Sequence, residues 1–227
     1  MVSTGLKELD ELLGSDGYPD KSAILIVGPP GIGKEALGYR FTQSGLVQND
    51  FCLYVTRLSS REVLHDVKGF GIDFSQRVPL WYSTDREQMM KFDVNNLAGI
   101  SYNIKEILKT NADRRIRVVT DITSSLLMLN PPDTIYKFLT QLLAEIKQYD
   151  IVFLATLEDG MHDSQVLTAM QALFDGVLEL RIYDEGGLSF VSILKILKMI
   201  GVPPQTGYFS FSFSQNGMEI SAYAKHV

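Results

Sequence analysis

The sequence predicts an α/β chain whose core is a mainly parallel, twisted sheet with helices on both faces, extended at its C-terminal end by antiparallel strands. Three observations predict it. Short, continuous apolar runs such as Ala23–Val27 (AILIV) and Ile151–Leu157 (IVFLATL) read as strands buried on both faces. Stretches with helically spaced apolar residues alternate with those runs through the first three quarters of the chain. After Gly176 the helical pattern stops, and strand-like segments are separated by EGG, VPPQTG and SQNG turns.

Taken in order, Ala23–Val27 is the first strand, Gly28–Gly33 a loop, and Lys34 to about Leu46 a helix. Phe51–Thr56 (FCLYVT) is a second buried strand. Ser60 to about Gly69 is a helix, with Ser59 or Ser60 as its cap. Val78–Tyr82 reads as a short strand, its Trp81 and Tyr82 in the core. Val94–Lys109 is a helix carrying Leu97, Ile100, Ile104 and Ile107 on one face. Ile116–Asp121 is a strand, Asp133 caps a helix to about Gln148, and Ser164–Phe174 is the last helix. Val177–Tyr183, Leu188–Met199 and Tyr208–Phe213 form the terminal meander. No repeat, low-complexity tract or linker divides residues 1–227, so one domain is expected.

The 227 residues are 45% hydrophobic and 21% charged, the profile of a globular chain with a core. The net charge of −6 lacks the basic footprint of a strong nucleic-acid binder. The short cluster Asp113–Arg117 reads as a solvated turn before a strand. A single cysteine, Cys52, excludes an internal disulfide and reads as core packing. No apolar run approaches a membrane span, and the charged start MVSTGLKELDELL lacks a signal-peptide block. A cytoplasmic protein with no membrane contact is expected. His162 has no cysteine or second histidine at metal spacing and reads as a loop residue.

The stretch GPPGIGKE, residues 28–35, carries the chemistry. A G-x-x-x-x-G-K loop between a buried strand and a helix is a phosphate cradle. Glycines let backbone N–H groups ring a phosphate, and the helix N-terminus adds a field that favours anions. Gly28, Pro29, Pro30, Gly31, Ile32, Gly33, Lys34 and Glu35 are therefore the expected nucleotide-binding residues, with Lys34 reaching the β- and γ-phosphates. Asp121, at the end of a neighbouring strand, is the expected Mg²⁺ carboxylate. Position 35 ordinarily carries the Ser or Thr whose hydroxyl ligates Mg²⁺, and here it is Glu35. A carboxylate there repels the β-phosphate by roughly 1–4 kcal/mol at ~4 Å. Alternatively it ligates Mg²⁺ itself, or it folds back onto the N–H groups meant for phosphate.

With these motifs in order, the chain resembles the KaiC-like branch of the RecA superfamily. The opening STGLKELDELLGSDGYPDKS, the loop GPPGIGK, the strands FCLYVT and VVTDITSS, the segment LFDGVLEL and the end ILKILKMIGVPPQTGYFSFSFSQNGMEI all match the family's order and spacing. The resemblance implies a RecA-like core that binds ATP or ADP with Mg²⁺. It also implies assembly into homo-oligomers or with related RecA-like subunits, nucleotide lying between neighbours. The departures bear on activity. The family's paired glutamates after the second strand fall on Leu58 and Ser59, with Glu62 four residues on. Its K-M-R-G reads Lys198–Met199–Ile200–Gly201, so the arginine is lost and Lys198 remains as a trans contact. Thr156, at the end of IVFLATLE, is the candidate γ-phosphate sensor, with Glu158 behind it. Three readings follow: a nucleotide binder with weak or absent ATPase activity serving as a regulatory or assembly subunit; an active Mg²⁺-dependent ATPase using Glu35 on the metal and Glu62 or Glu158 on water; or an interaction module that binds no nucleotide.

Overall fold

The structure, a computed structural model, describes residues 1–14, 17–74, 80–82, 93–186, 189–203, 207–214 and 217–223. A nine-stranded sheet runs in the order β3-β2-β4-β5-β1-β6-β7-β8-β9. Strands β1 (Ala23–Gly28), β2 (Phe51–Thr56), β3 (Leu80–Tyr82), β4 (Ile116–Thr120), β5 (Ile151–Glu158) and β6 (Gly176–Asp184) are parallel neighbours. Strands β7 (Phe190–Met199), β8 (Phe209–Ser214) and β9 (Gly217–Ala222) add antiparallel to β6. The mainly parallel core with an antiparallel extension is thus as the sequence predicts.

The central strands are buried along their whole length because both faces are covered. On one side, Ile24, Ile26, Val119, Val152 and Leu154 pack under α1 (Lys7–Leu12), α2 (Lys34–Val47) and α3 (Ser60–Gly69). On the other, Leu25, Val27, Val118, Phe153 and Ala155 pack under α4 (Leu97–Thr110), α5 (Thr123–Leu129), α6 (Pro132–Ile146) and α7 (Ser164–Leu173). The alternation of consecutive residues between the two clusters is the period-two signature of strands.

Some boundaries differ from the sequence reading, each for a local reason. Asp133 does not cap α6; Pro131 holds the cap position, Pro132 begins the helix, and Asp133 sits in the first turn, where the helix field suits its charge. Helix α4 starts at Leu97 because Asn96 caps it, its Oδ1 accepting from Gly99 N–H at 2.8 Å. Of Val78–Tyr82, the described part is the strand Leu80–Tyr82; residues 78 and 79, the side chains of Trp81 and Tyr82, and Leu188 lie outside the described residues. Two short helices, α1 and α5, are additions to the sequence reading. With six and seven residues, they are too short for periodicity to declare.

Arg117 overturns the reading of residues 113–117 as solvated. It is fully buried under α2, its guanidinium 4.7 Å from the Phe41 ring. Its Nε donates to Asp50 Oδ2 at 2.7 Å, and its two terminal nitrogens donate to Ser3 O, Phe41 O and Gln48 Oε1. A buried charge is tolerable when paired and saturated with acceptors. Arg117 thereby ties the N-terminal segment and the end of α2 to the sheet. Arg115 pairs with Asp20 and Asp150.

Candidate functional site

Four adjacent strands, β2, β4, β5 and β1, end at the same edge of the sheet, where Glu158 stands opposite Gly28 and, three residues lower on β5, Ala155 stands opposite Thr120. That edge is where ligands of open α/β sheets bind. From it, residues 28–33 turn into α2. Gly31 and Gly33 take φ values of +75° and +93°, in the left-handed region that favours glycine. A Cβ on Gly33 would also lie 2.3 Å from Phe213 Cζ, because the ring of Phe213 on β8 covers the loop. Phe213 is in turn edge-on to Phe70 of α3.

Lys34 is the first residue of α2 and is fully buried. Its Nζ donates to Pro29 O at 2.9 Å and to Glu158 Oε2 at 2.8 Å. Glu158 is delivered by β5, whose even residues share the face under α2: Val152 and Leu154 pack in the same cluster as Leu37 and Tyr39. Its backbone N–H donates to Ser124 Oγ at 2.9 Å, which joins β5 to α5. Thr156 lies one step deeper, buried opposite Ile26. The residue within reach of Lys34 is therefore Glu158, the one ranked behind Thr156 in the sequence. The alternation of strand residues put both on the right face, but only the longer side chain spans to the lysine.

Asp121 follows β4 and accepts a hydrogen bond of 2.6 Å from Thr56 Oγ1 at the end of β2. Burial pushes its carboxyl up to about 6, against the opposing effects of Thr56 and Arg57, and the charge of Glu35 pushes the same way. Glu35 and Asp121 thus feel each other across the loop. Glu35 is half-buried in the first turn of α2, and no hydrogen bond or ion pair engages it among the described residues. No loop N–H donates to it, so the folded-back arrangement is not the one adopted. Two oxygen-bearing side chains beside a phosphate-shaped loop suit Mg²⁺, a hard cation. Below them, Tyr39 donates to Asp66 at 2.6 Å, its ring 5.5 Å from that of the buried Tyr54.

Beside the loop is a cavity of about 620 Å³ between α2 and α3, lined by Gly31, Gly33, Glu35, Leu58, Glu62 and Asp66 among others. Its volume lies in the range of small-molecule sites. Leu58, at one of the two positions where the family carries a glutamate, lines it without a carboxylate. Ser59 caps α3, and Glu62 closes a capping box, its Oε2 accepting from Ser59 N–H at 2.8 Å and from Ser59 Oγ at 2.7 Å. Those bonds hold the Glu62 carboxyl below its usual range. Lys198, on β7, donates to Ala172 O at 3.3 Å, and Ile200 is exposed in the turn beyond it. Neither touches the loop within the chain. Among the described residues no group of three metal-ligating side chains forms, and the His162 Nε2 is buried without a partner.

A glycine loop between a buried strand and a helix, beside two strand-end carboxylates on a mainly parallel sheet, defines a P-loop fold of the RecA type. A family model described as "ATPase: KaiC" matches residues 2–225. The chain belongs to that KaiC ATPase family. It is 27% identical over 231 residues to the circadian clock protein KaiC2 of Synechocystis sp., covering 98% of this chain and 39% of that protein. It is 26% identical over 235 residues to KaiC3 of the same organism, covering 100% of this chain and 44% of that protein. The chain therefore spans about two fifths of these relatives. A crystal structure of a KaiC-like protein from Pyrococcus horikoshii OT3 superposes with a TM-score of 0.80 at 21% identity, covering 98% of both chains, and so shares the fold. Among the described residues no helix is long and apolar enough to cross a membrane.

Proposed function

We propose that this chain is a nucleotide-binding KaiC-like subunit that hydrolyses ATP very slowly or not at all, and that it serves a regulatory or assembly role. The observation that carries the reading is the Ser59–Glu62 capping box. It commits the carboxylate nearest the missing glutamate pair to holding a helix end. A lost general base lowers rate by ~10²–10⁴, and a lost arginine finger by a further ~10³–10⁵. The left-handed glycines and the buried Lys34 support retained phosphate binding. ATP or ADP would lie on residues 28–35, with Asp121 as the side chain that would hold Mg²⁺ and Glu35 either repelling the phosphates or joining Asp121 on the metal. The metal would supply charge neutralisation between the phosphates. Lys198 and the exposed Ile200, at the end of the sheet opposite the loop, are the proposed contact to the nucleotide edge of a second copy or a related RecA-like subunit. Action in the cytoplasm fits the lone, buried Cys52.

The test is calorimetry of ATP and ADP binding to the wild type and to Glu35→Thr, with Mg²⁺ and with a chelator. Relief of repulsion predicts tighter Mg-ATP binding by Glu35→Thr and still no hydrolysis. Weaker Mg-ATP binding in that variant would instead assign Glu35 to the metal. A wild-type turnover near ~1 s⁻¹ that is abolished by Lys34→Ala would overturn the proposal of slow hydrolysis. Failure of both proteins to bind nucleotide under any condition would overturn the proposal of binding.

A further inference from the structure

We propose that Glu158 sets the phosphate-length preference of the loop: by occupying Lys34 it makes the site select a nucleoside diphosphate over a nucleoside triphosphate. The inference rests on the nucleotide-binding reading above and concerns which nucleotide the loop holds.

Lys34 has three N–H donors. Pro29 O takes one at 2.9 Å and Glu158 Oε2 another at 2.8 Å. The lysine is fully buried, so its charge is compensated inside the protein rather than by solvent. Glu158 is placed by structure that a ligand does not readily move. Its Cα is in parallel register with Gly28, the first residue of the phosphate loop, and its N–H is fixed on Ser124 Oγ. Its side chain keeps a quarter of its surface exposed, so the carboxylate stands at the open edge of the site.

The two phosphates meet different parts of this arrangement. Loop N–H groups cradle the α- and β-phosphates, while the lysine reaches the β- and γ-phosphates, so a γ-phosphate depends on the lysine without the loop N–H groups that also hold the β-phosphate. Glu158 engages none of those N–H groups among the described residues. It competes only for the lysine and adds a negative charge where a γ-phosphate would arrive. A diphosphate keeps the loop contacts and loses only a share of Lys34. A triphosphate must displace Glu158 or lie beside it.

Calorimetry with ADP and ATP, in Mg²⁺, on wild type, Glu158→Gln and Glu158→Asp tests this. Glutamine keeps the shape and removes the charge; aspartate keeps the charge and draws it back by one methylene. Wild type should bind ADP about tenfold or more tighter than ATP. Glu158→Gln should bring the two within about threefold, through a gain for ATP rather than a loss for ADP. Glu158→Asp should fall between them, which keeps the test open if the glutamine variant does not fold. Equal changes for both nucleotides, or a ratio unaltered by either substitution, overturn the inference while leaving nucleotide binding intact. Absence of binding by wild type and both variants overturns both proposals. Equal binding of both nucleotides by Glu158→Gln where the wild type binds neither makes Glu158 a general block and overturns the diphosphate preference.

Discussion

Replacing Gly33 with alanine tests the loop's geometry through stability alone. Two separable costs are visible. The φ of +93° lies in the left-handed region, where an L-residue loses about 1–2 kcal/mol. The new methyl would also lie 2.3 Å from Phe213 Cζ, so the ring must shift. Phe213 is 42% exposed and packs edge-on against Phe70 and Phe211, so it can move at the expense of those contacts, for about 1 kcal/mol more. Gly33→Ala should therefore destabilise by about 2–3 kcal/mol, read from urea midpoints at unchanged slope. In a Phe213→Ala background the same substitution should cost only the backbone share, about 1–2 kcal/mol. A cost below about 0.5 kcal/mol in wild type would refute the left-handed loop. An undiminished cost in the truncated background would refute the contact with Phe213.

Two other outcomes follow from buried titratable groups. The Asp121 carboxyl is held up to about 6 against an ordinary value of 3.8, so the folded protein binds this proton more tightly than the unfolded chain. Its contribution is present below pH ~4 and lost as pH rises through about 6, by at most about 3 kcal/mol. In chelator, Asp121→Asn should remove that fall, and equal pH slopes for variant and wild type would refute the desolvated carboxylate. Burial likewise pushes the Cys52 thiol up to about 12 against the opposing charge of Arg117. Native protein at pH 8 should therefore react with a thiol reagent about 10³-fold more slowly than unfolded protein, and comparable rates would refute it.

What the sequence made legible divides by physics. The buried strands, the long helices and the glycine loop each have a local signature in period, length or residue type, and each stands where that signature put it. The site's pairings have no such signature. Lys34 and Glu158 are 124 residues apart and meet because β1 and β5 are parallel neighbours in one register. The placement of Arg117 has the same origin: its partners Ser3, Gln48 and Asp50 come from two other segments. An arginine inside IRVVT was a visible clue, since a charged residue in a strand covered on both faces must find acceptors. Its acceptors are known only once α2 is laid across β4. The Ser59–Glu62 pair was the reverse case. Its S-x-x-E spacing was local and readable as a capping box, which gives Glu62 a structural role at the start of α3.

Three carboxylates stand around the loop: Glu35 in the first turn of α2 lines the cavity beside it, Asp121 after β4 is held by Thr56, and Glu158 at the end of β5 pairs with Lys34. Lys34 answers one of them, and the Arg57 charge acts on Asp121. A hydroxyl at position 35 would leave the loop electrostatically open to a free triphosphate. With a glutamate there, an added phosphate charge meets one more carboxylate in a cavity that Arg61 and His65 also line. Were Mg²⁺ to recruit Glu35, it would convert a repelling oxygen into a ligand and tie the loop's occupancy to magnesium, the outcome that weaker Mg-ATP binding by Glu35→Thr would reveal. On the function proposed here, Leu58, Ser59 and Ile200 would independently leave a bound nucleotide without a base or an arginine, so the arrangement would respond to binding and metal rather than to turnover.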